Sequence, residues 1–228
     1  HGLDIVVSMY NARTYIIECL NSLLAKITAD IHIIVVNDGS TDGCDTLVSN
    51  TFNNHPHINL VSKPNGGCAS ARNYGRRCSN ADHIAFVDAD DMVDPGMFSS
   101  LLDLARLSGA EIVQASFDTF EHNNQGQYQR QTTYEQLHYD EWERRTANGI
   151  NYIQVPAANL LVGQPTIWRR VYRRDFLDNK AIFFPEQIRA FDDQIFQILS
   201  LYLAQDVLML DGPRYLYRQH PDQDIQQG

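Results

Sequence analysis

Short apolar runs alternate with amphipathic segments over roughly the first 117 residues, and this alternation constrains the fold more than any other feature. The runs predict strands, and the segments with apolar residues at helical spacing predict helices. The predicted strands are Asp4 to Met9, Ile31 to Val36, Asn59 to Ser62, Ile84 to Val87 and Ile112 to Phe117. The predicted helices are Thr14 to Leu24, Gly67 to Cys78 and Met97 to Leu107. This order is typical of a doubly wound, mostly parallel α/β sheet.

The second half of the sequence is less regular. From Glu121 to about Asn148 the chain is polar, which indicates an insertion or a smaller acceptor-side region. Apolar side chains at helical spacing then predict a helix through Trp168, Val171, Tyr172 and Phe176, and a further helix is predicted from about Asp192 to Leu203. A length of 228 residues fits one domain, so we expect a single domain over residues 1–228.

Composition narrows the classes of function. A formal net charge of −10 disfavours nucleic acid as a partner, because its polyanionic backbone is bound by clustered Lys and Arg. An acidic protein that binds phosphate often uses a bridging cation, so its carboxylates are candidates for a metal site. The four cysteines lack Cys-x-x-Cys spacing and are expected to be reduced, and the apolar stretch Ile195 to Leu210 is interrupted by polar residues. These features predict a cytoplasmic protein.

Polar residues follow three of the predicted strands. Tyr10 and Asn11 follow the first strand, Asp38 follows the second, and Asp88 and Asp90 follow the fourth. Open α/β sheets bind ligands outside the carboxyl ends of their strands. The topology therefore predicts that these side chains converge on one ligand.

The tract Asp88-Ala89-Asp90 places two carboxylates on alternate positions at a strand end. Oxygen ligands in such a pair suit Mg or Mn, which keep open positions for substrate phosphates. The alternative is a solvated acidic turn that caps the helix beginning near Pro95. We expect that capping role for Asp91 and Asp94, and a functional role for the other two aspartates.

Three further tracts carry weaker signals. Asp38 suits either a local turn or a hydrogen bond from the imide N–H of uracil. Asn65-Gly66-Gly67 leads into a helix whose N–H groups and Arg72 could face phosphate, although Arg72 could equally lie on the surface. Asp192 and Asp193 begin a helix, where adjacent side chains diverge by about 100 degrees, so one is expected to act as a general base and the other to stabilise the helix terminus.

Taken in order, these tracts resemble glycosyltransferase family 2, the inverting enzymes of the GT-A fold, and in particular the transferases of bacterial polysaccharide, capsule and lipopolysaccharide synthesis. The resemblance rests on Ile5 to Asn11, Val35 to Asp42, Asn65 to Gly67 with Ala71 to Asn73, Phe86 to Asp91, Asp192 to Phe196, and Tyr217 to His220. It implies a Rossmann-like nucleotide-sugar half at about 1–117 and an acceptor and catalytic-base half at about 118–228.

The resemblance also implies roles for individual residues. The nucleotide-sugar pocket is expected to use Tyr10, Asn11, Asp38, Asn65, Gly66, Arg72, Asp88 and Ala89. Asp88 is expected to contact the ribose, and Asp90 and His220 to hold Mn or Mg. Asp193 is expected to be the base, although the usual Glu-Asp pair reads Asp192-Asp193 here, which leaves Asp192 as the alternative.

The implied reaction is metal-dependent transfer of a hexosyl or N-acetylhexosaminyl group. The donor is expected to be a UDP-sugar and the acceptor a glycan or lipid-linked saccharide, with peripheral association at the inner face of the membrane. Two alternatives stay open: an inactive nucleotide-sugar-binding domain of a larger polysaccharide synthase, and a phosphohydrolase that uses an Asp-x-Asp tract. The latter normally has its tract near the first strand, whereas Asp88 follows the fourth.

Overall fold

The computed structural model describes residues 2–122, 128–132, 142–161, 166–188 and 191–220. The strands are β1 (Leu3–Met9), β2 (Ile31–Asn37), β3 (Ile58–Ser62), β4 (His83–Asp88), β5 (Met92–Val93), β6 (Ile112–His122), β7 (Tyr128–Thr132), β8 (Arg144–Ala147), β9 (Ile150–Pro156), β10 (Arg170–Arg173) and β11 (Asp206–Arg218). The helices are α1 (Ile16–Leu24), α2 (Cys44–Thr51), α3 (Cys68–Cys78), α4 (Met97–Ser108), α5 (Arg174–Asn179) and α6 (Asp192–Leu203), with 3-10 turns at Ala157–Leu160 and Ile167–Arg169.

A sheet in the order β3-β2-β1-β4-β10-β6-β11-β9-β8 runs through both halves of the described chain. The first four of these strands are parallel, and β6 and β11 are parallel to each other. β10 is antiparallel to both of its neighbours, while β5 pairs with β11 and β7 with β6. The expected mixed α/β fold with a mostly parallel sheet is confirmed.

β1 and β2 lie in the centre of the parallel part, and their sequences explain why. Nearly every residue of Leu3–Met9 and Ile31–Asn37 is buried, as expected for strands that are covered on both faces. α3 packs directly on β1 and β2. A side-chain Cβ at Gly75 would collide with Val6, so glycine at this position permits the close approach of α3 to the sheet.

The helix predicted through Trp168 to Phe176 is wrong. This stretch forms a 3-10 turn, the buried strand β10 and the short helix α5. Val171 pairs with Ala85 of β4 and with Val113 of β6, so it lies in the middle of the sheet. Pairing with distant strands therefore outweighs a local apolar spacing that suits a helix.

Candidate active site

The carboxyl ends of β1, β2 and β4 lie side by side. In the register of the sheet, Met9 is opposite Asn37 and Ser8 is opposite Asp88. The residues that follow these strand ends therefore share one edge of the sheet, as the sequence predicted. The candidate active site lies at this edge.

Asp38 organises the loop before α3. Its buried carboxylate, 2% exposed as a residue, accepts hydrogen bonds from Lys63 Nζ at 2.6 Å and from the N–H groups of Gly66 at 3.0 Å and Gly67 at 2.8 Å. Its backbone carbonyl accepts a hydrogen bond from Asn65 Nδ2 at 2.9 Å. Asp38 thus fixes the position of the 63–67 loop, and its contact with a nucleotide base stays a prediction.

Asn11 joins the ends of β1 and β2. Its backbone has a positive φ of 47°, and its Oδ1 accepts a hydrogen bond from the N–H of Thr41 at 2.8 Å. Its own N–H donates to Ser40 Oγ at 3.1 Å. The neighbouring Tyr10 is 55% exposed, so its ring is accessible at the mouth of the site. Asn11 therefore shapes the loop that presents Tyr10.

Arg72 connects the strand-end aspartates to α6. Its side chain is buried, its Nη2 donates to Asp88 Oδ1 at 2.8 Å, and its Nη1 donates to Asp192 Oδ2 at 3.1 Å. The guanidinium also lies over the Phe184 ring, 5.3 Å from its centroid. The alternative in which Arg72 lies on the surface is excluded. One cation thus brings together carboxylates that are 104 residues apart in sequence, at positions 88 and 192.

The two aspartates at the start of α6 differ in their surroundings. Asp192 forms the ion pair with Arg72, whereas the Asp193 carboxylate accepts a hydrogen bond from the adjacent N–H of Gln194 at 2.8 Å. Burial raises the pKa of Asp193, Arg72 acts in the opposite direction, and the charges of Asp192 and Asp88 add to the rise. These causes make the Asp193 carboxylate more basic than an exposed aspartate.

Asp90 and His220 face each other. His220 Nε2 lies 2.9 Å from Asp90 Oδ2, and the imidazole ring packs against Tyr15 with a centroid distance of 4.7 Å. Burial raises the pKa of Asp90, the charge of Asp88 adds to the rise, and His220 opposes it. Within the described ranges no three His, Cys, Asp or Glu side chains form a metal cluster. The pair nevertheless offers an oxygen and a nitrogen donor, which fits an ion that fills its other positions with phosphate oxygens and water.

Arg218 is a site residue that carries no role in the sequence-based prediction. It is 2% exposed, and its Nε donates to the backbone carbonyl of Asp90 at 2.5 Å, while Nη2 donates to Glu18 Oε2 at 2.5 Å. Its guanidinium lies over the rings of Tyr15 and Phe120, 4.9 Å and 4.5 Å from their centroids. Arg218, the last residue of β11, therefore connects the 88–91 tract to α1.

The capping roles predicted for Asp91 and Asp94 are wrong. Asp91 is fully buried and accepts hydrogen bonds from the Tyr215 hydroxyl and the N–H of Arg218, both at 2.8 Å. Asp94 accepts hydrogen bonds from Arg130, and α4 begins after Gly96 without a side-chain cap. Both carboxylates therefore fix the tract to distant parts of the chain.

Two predicted parts of the site remain, Ala89 and the polar segment Glu121 to Asn148. Ala89 is 6% exposed between the two aspartates. Within the polar segment Glu121 to Asn148 the structure describes β7 and β8, while residues 123–127 and 133–141 lie outside the described part.

The sequence profile described as Glycosyl transferase family 2 matches residues 4–179. The match covers most of the chain and includes the loops that carry Tyr10, Asp38, Arg72, Asp88 and Asp90. This chain belongs to glycosyltransferase family 2. The family assignment made from the motifs is confirmed.

Two curated relatives illustrate the extent of the similarity. The uncharacterized glycosyltransferase EpsJ of Bacillus subtilis is 32% identical over 220 residues, which cover 96% of this chain and 62% of EpsJ. The chondroitin synthase of Pasteurella multocida is 34% identical over 93 residues, which cover 41% of this chain and 10% of that protein. The chain thus spans less than two thirds of the length of these relatives.

A solved structure shares the fold. S. aureus TarS, residues 1–349, in complex with UDP-GlcNAc, superposes with a TM-score of 0.79 at 20% identity, covering 100% of this chain and 61% of the TarS chain. This similarity agrees with the GT-A fold that the motifs implied. Among the helices in the described part of the chain, none has the length and apolar character needed to cross a bilayer.

Proposed function

We propose that this chain is the catalytic domain of an inverting glycosyltransferase that uses a UDP-linked hexose or N-acetylhexosamine. The observation that carries the proposal is the buried Arg72, which joins Asp88 at the end of β4 to Asp192 at the start of α6. This contact supports a site in which Asp88, the proposed ribose contact, lies close to the first turn of α6, which carries the proposed base Asp193. The complexes of TarS with UDP-GlcNAc and UDP support the choice of nucleotide.

In the proposed donor site, the exposed Tyr10 ring packs against the base and Asp38 holds the adjoining loop. Asp88 contacts the ribose from the strand end, while Arg72 fixes the orientation of its carboxylate. Asp90 and His220 hold a divalent cation, Mn or Mg. When bound, such a cation supplies positive charge that stabilises the departing diphosphate.

Asp193 is the proposed general base. It takes the proton from an acceptor hydroxyl, and the hydroxyl oxygen forms its bond to the anomeric carbon on the face opposite the diphosphate. The bond from the anomeric carbon to the diphosphate oxygen breaks, UDP leaves, and the configuration inverts. Asp192 is ion-paired with Arg72, which supports Asp193 as the residue that receives the proton. The proposed acceptor is a glycan or a lipid-linked saccharide at the membrane surface.

A thermal-shift screen tests the donor class directly. UDP and UDP-sugars in the presence of Mn should raise the melting temperature, since a ligand at 100 times its Kd stabilises the fold by about 2.7 kcal/mol. ADP and GDP at equal concentration serve as controls and should have smaller effects. A protein that no uridine nucleotide stabilises, or that releases phosphate from simple phosphoesters, would refute the proposal. Donor binding without transfer to any acceptor would favour an accessory binding domain.

A further inference from the structure

An aromatic stack lies beside the candidate active site. The Trp168 ring stacks on Tyr215 at a centroid distance of 4.2 Å and on Tyr217 at 5.4 Å with an interplanar angle of 4°. Phe117 contacts the same indole edge-on at 5.0 Å. Trp168 is only 6% exposed, so the stack holds both tyrosine rings in fixed positions.

The two tyrosines lie on the same face of β11, because side chains two residues apart in a strand point the same way. The Tyr215 hydroxyl reaches Asp91 Oδ2 at 2.8 Å, which shows that this face of β11 points toward the 88–91 tract. Tyr217 is the next residue along that face, and the 3-10 turn that carries Trp168 packs against β4, which ends at Asp88, and against α6, which begins at Asp192. The Tyr217 ring therefore lies on the face of β11 that reaches Asp91, stacked on a turn that contacts both elements of the proposed site.

The carboxylates that act on Tyr217 include strand-end aspartates of the proposed donor site and the proposed base on α6. Burial raises the pKa of Tyr217 to about 12, and the carboxylates of Asp91, Asp88, Asp90 and Asp193 add to the rise. The charges of the strand-end aspartates and of the proposed base therefore all act on the Tyr217 phenol.

The Tyr217 hydroxyl can donate a hydrogen bond, which the carboxylates around it cannot do when they are ionised. Ionised aspartates only accept hydrogen bonds, whereas a protonated tyrosine also donates one. The phenol stays protonated at neutral pH. Among the residues that the structure describes, none forms a hydrogen bond with its hydroxyl. In an in-line displacement, the transferred sugar lies between the leaving diphosphate and the base. The turn that carries Trp168 packs against β4, β11 and α6, so a hydroxyl stacked on it is positioned for a sugar oxygen.

We propose that Tyr217 donates a hydrogen bond to an oxygen of the transferred sugar, and that Trp168 holds the phenol in place for that contact. This inference rests on the proposed function and adds a sugar-contacting residue to it. The contact would recognise the sugar and leave the nucleotide unaffected. Loss of the hydroxyl should therefore separate the affinity for UDP-sugar from the affinity for UDP.

The test is Tyr217→Phe, which keeps the stacked ring and removes only the hydroxyl. Calorimetric titration with Mn should give an unchanged Kd for UDP, within about twofold, and a Kd for UDP-GlcNAc or UDP-glucose that is roughly threefold to tenfold weaker, as expected for one neutral hydrogen bond. Tyr202→Phe is the matched control, because Tyr202 is 75% exposed near the far end of α6. It should change neither value.

Equal weakening of UDP and UDP-sugar binding, or no change in either, would overturn the assignment of Tyr217 while leaving the proposed function intact. A wild-type protein that binds neither UDP-sugar nor UDP would instead overturn both the inference and the proposed function. A selective loss of sugar affinity in Tyr217→Phe alone supports the contact.

Discussion

The Arg218 guanidinium donates a hydrogen bond from Nε to the backbone carbonyl of Asp90, at 2.5 Å, across 128 positions of sequence. The same side chain pairs with Glu18 on α1. The end of β11 therefore positions the 88–91 tract, and His220 two residues later reaches the Asp90 carboxylate. The C-terminal strand is thus part of the proposed donor site.

Arg218→Met should destabilise the protein by about 3 kcal/mol, near the lower end of the range for breaking a buried ion pair, because Glu18 is partly exposed. Urea denaturation measures the change. Arg106→Met is the matched control, since its ion pair with Asp30 is exposed at both partners and should contribute less than about 1 kcal/mol. Equal effects of the two variants would contradict the role given to Arg218.

Asp90→Ala and His220→Ala should each weaken UDP binding in the presence of Mn by roughly tenfold or more, since loss of even an indirect metal contact commonly costs that much metal affinity. The physical reason is that the remaining donor of the pair holds the cation less tightly. Calorimetric titration with and without EDTA measures the effect.

His55→Ala serves as the histidine control. His55 lies beside Phe52 and His57, before the first residue of β3, whereas the candidate site lies at the carboxyl ends of the strands. It should leave UDP affinity unchanged. Chelation that left UDP affinity and turnover of the wild-type protein intact would refute the metal role of Asp90 and His220.

On the acid side of its pH profile, kcat/KM should fall with an apparent pKa above the value of about 3.9 that is typical of an exposed aspartate. A general base must be ionised, so activity is present above the pKa of Asp193 and is lost as the pH falls through it. Burial raises this pKa, and Asp192 adds to the rise. Asp192→Asn should therefore move the acid limb to lower pH while transfer persists.

Abolition of transfer by Asp192→Asn would identify Asp192 as the base instead. Arg72 would then be holding the catalytic carboxylate, and the pKa argument for Asp193 would fail. An acid limb that moved to higher pH would equally contradict the assigned electrostatics. The pH profile of this single variant therefore distinguishes the two aspartates.

The parallel part of the fold was predictable because its signals are local. β1 and β2 are continuous apolar runs, and the helices α1 and α4 have one apolar face each, so periodicity identifies them. α2 escaped prediction, since its sequence Cys44–Thr51 has few apolar residues. β10 was misread as helix because its place between β4 and β6 depends on pairing with strands far away in sequence.

The location of the candidate site was predictable in part for the same reason. Polar residues at strand ends and the order of motifs identify Asp38, Asp88 and Asp90 as candidates from sequence, and their roles stay predictions. Arg72 and Arg218 each have a partner more than a hundred residues away, Asp192 and the Asp90 carbonyl, and nothing in the neighbouring residues indicates these contacts. Tyr217 likewise gains its candidate role only from its stacking on Trp168.

The most direct measurement is the comparison of donor binding and sugar transfer in Asp193→Asn. The amide keeps the size of the side chain and cannot accept the proton, so transfer should fall by about 10²-fold to 10⁴-fold while the Kd for UDP-sugar stays within about twofold. Asp103→Asn, an exposed acid on α4, is the control and should preserve both. Unchanged transfer by Asp193→Asn would contradict the proposed mechanism.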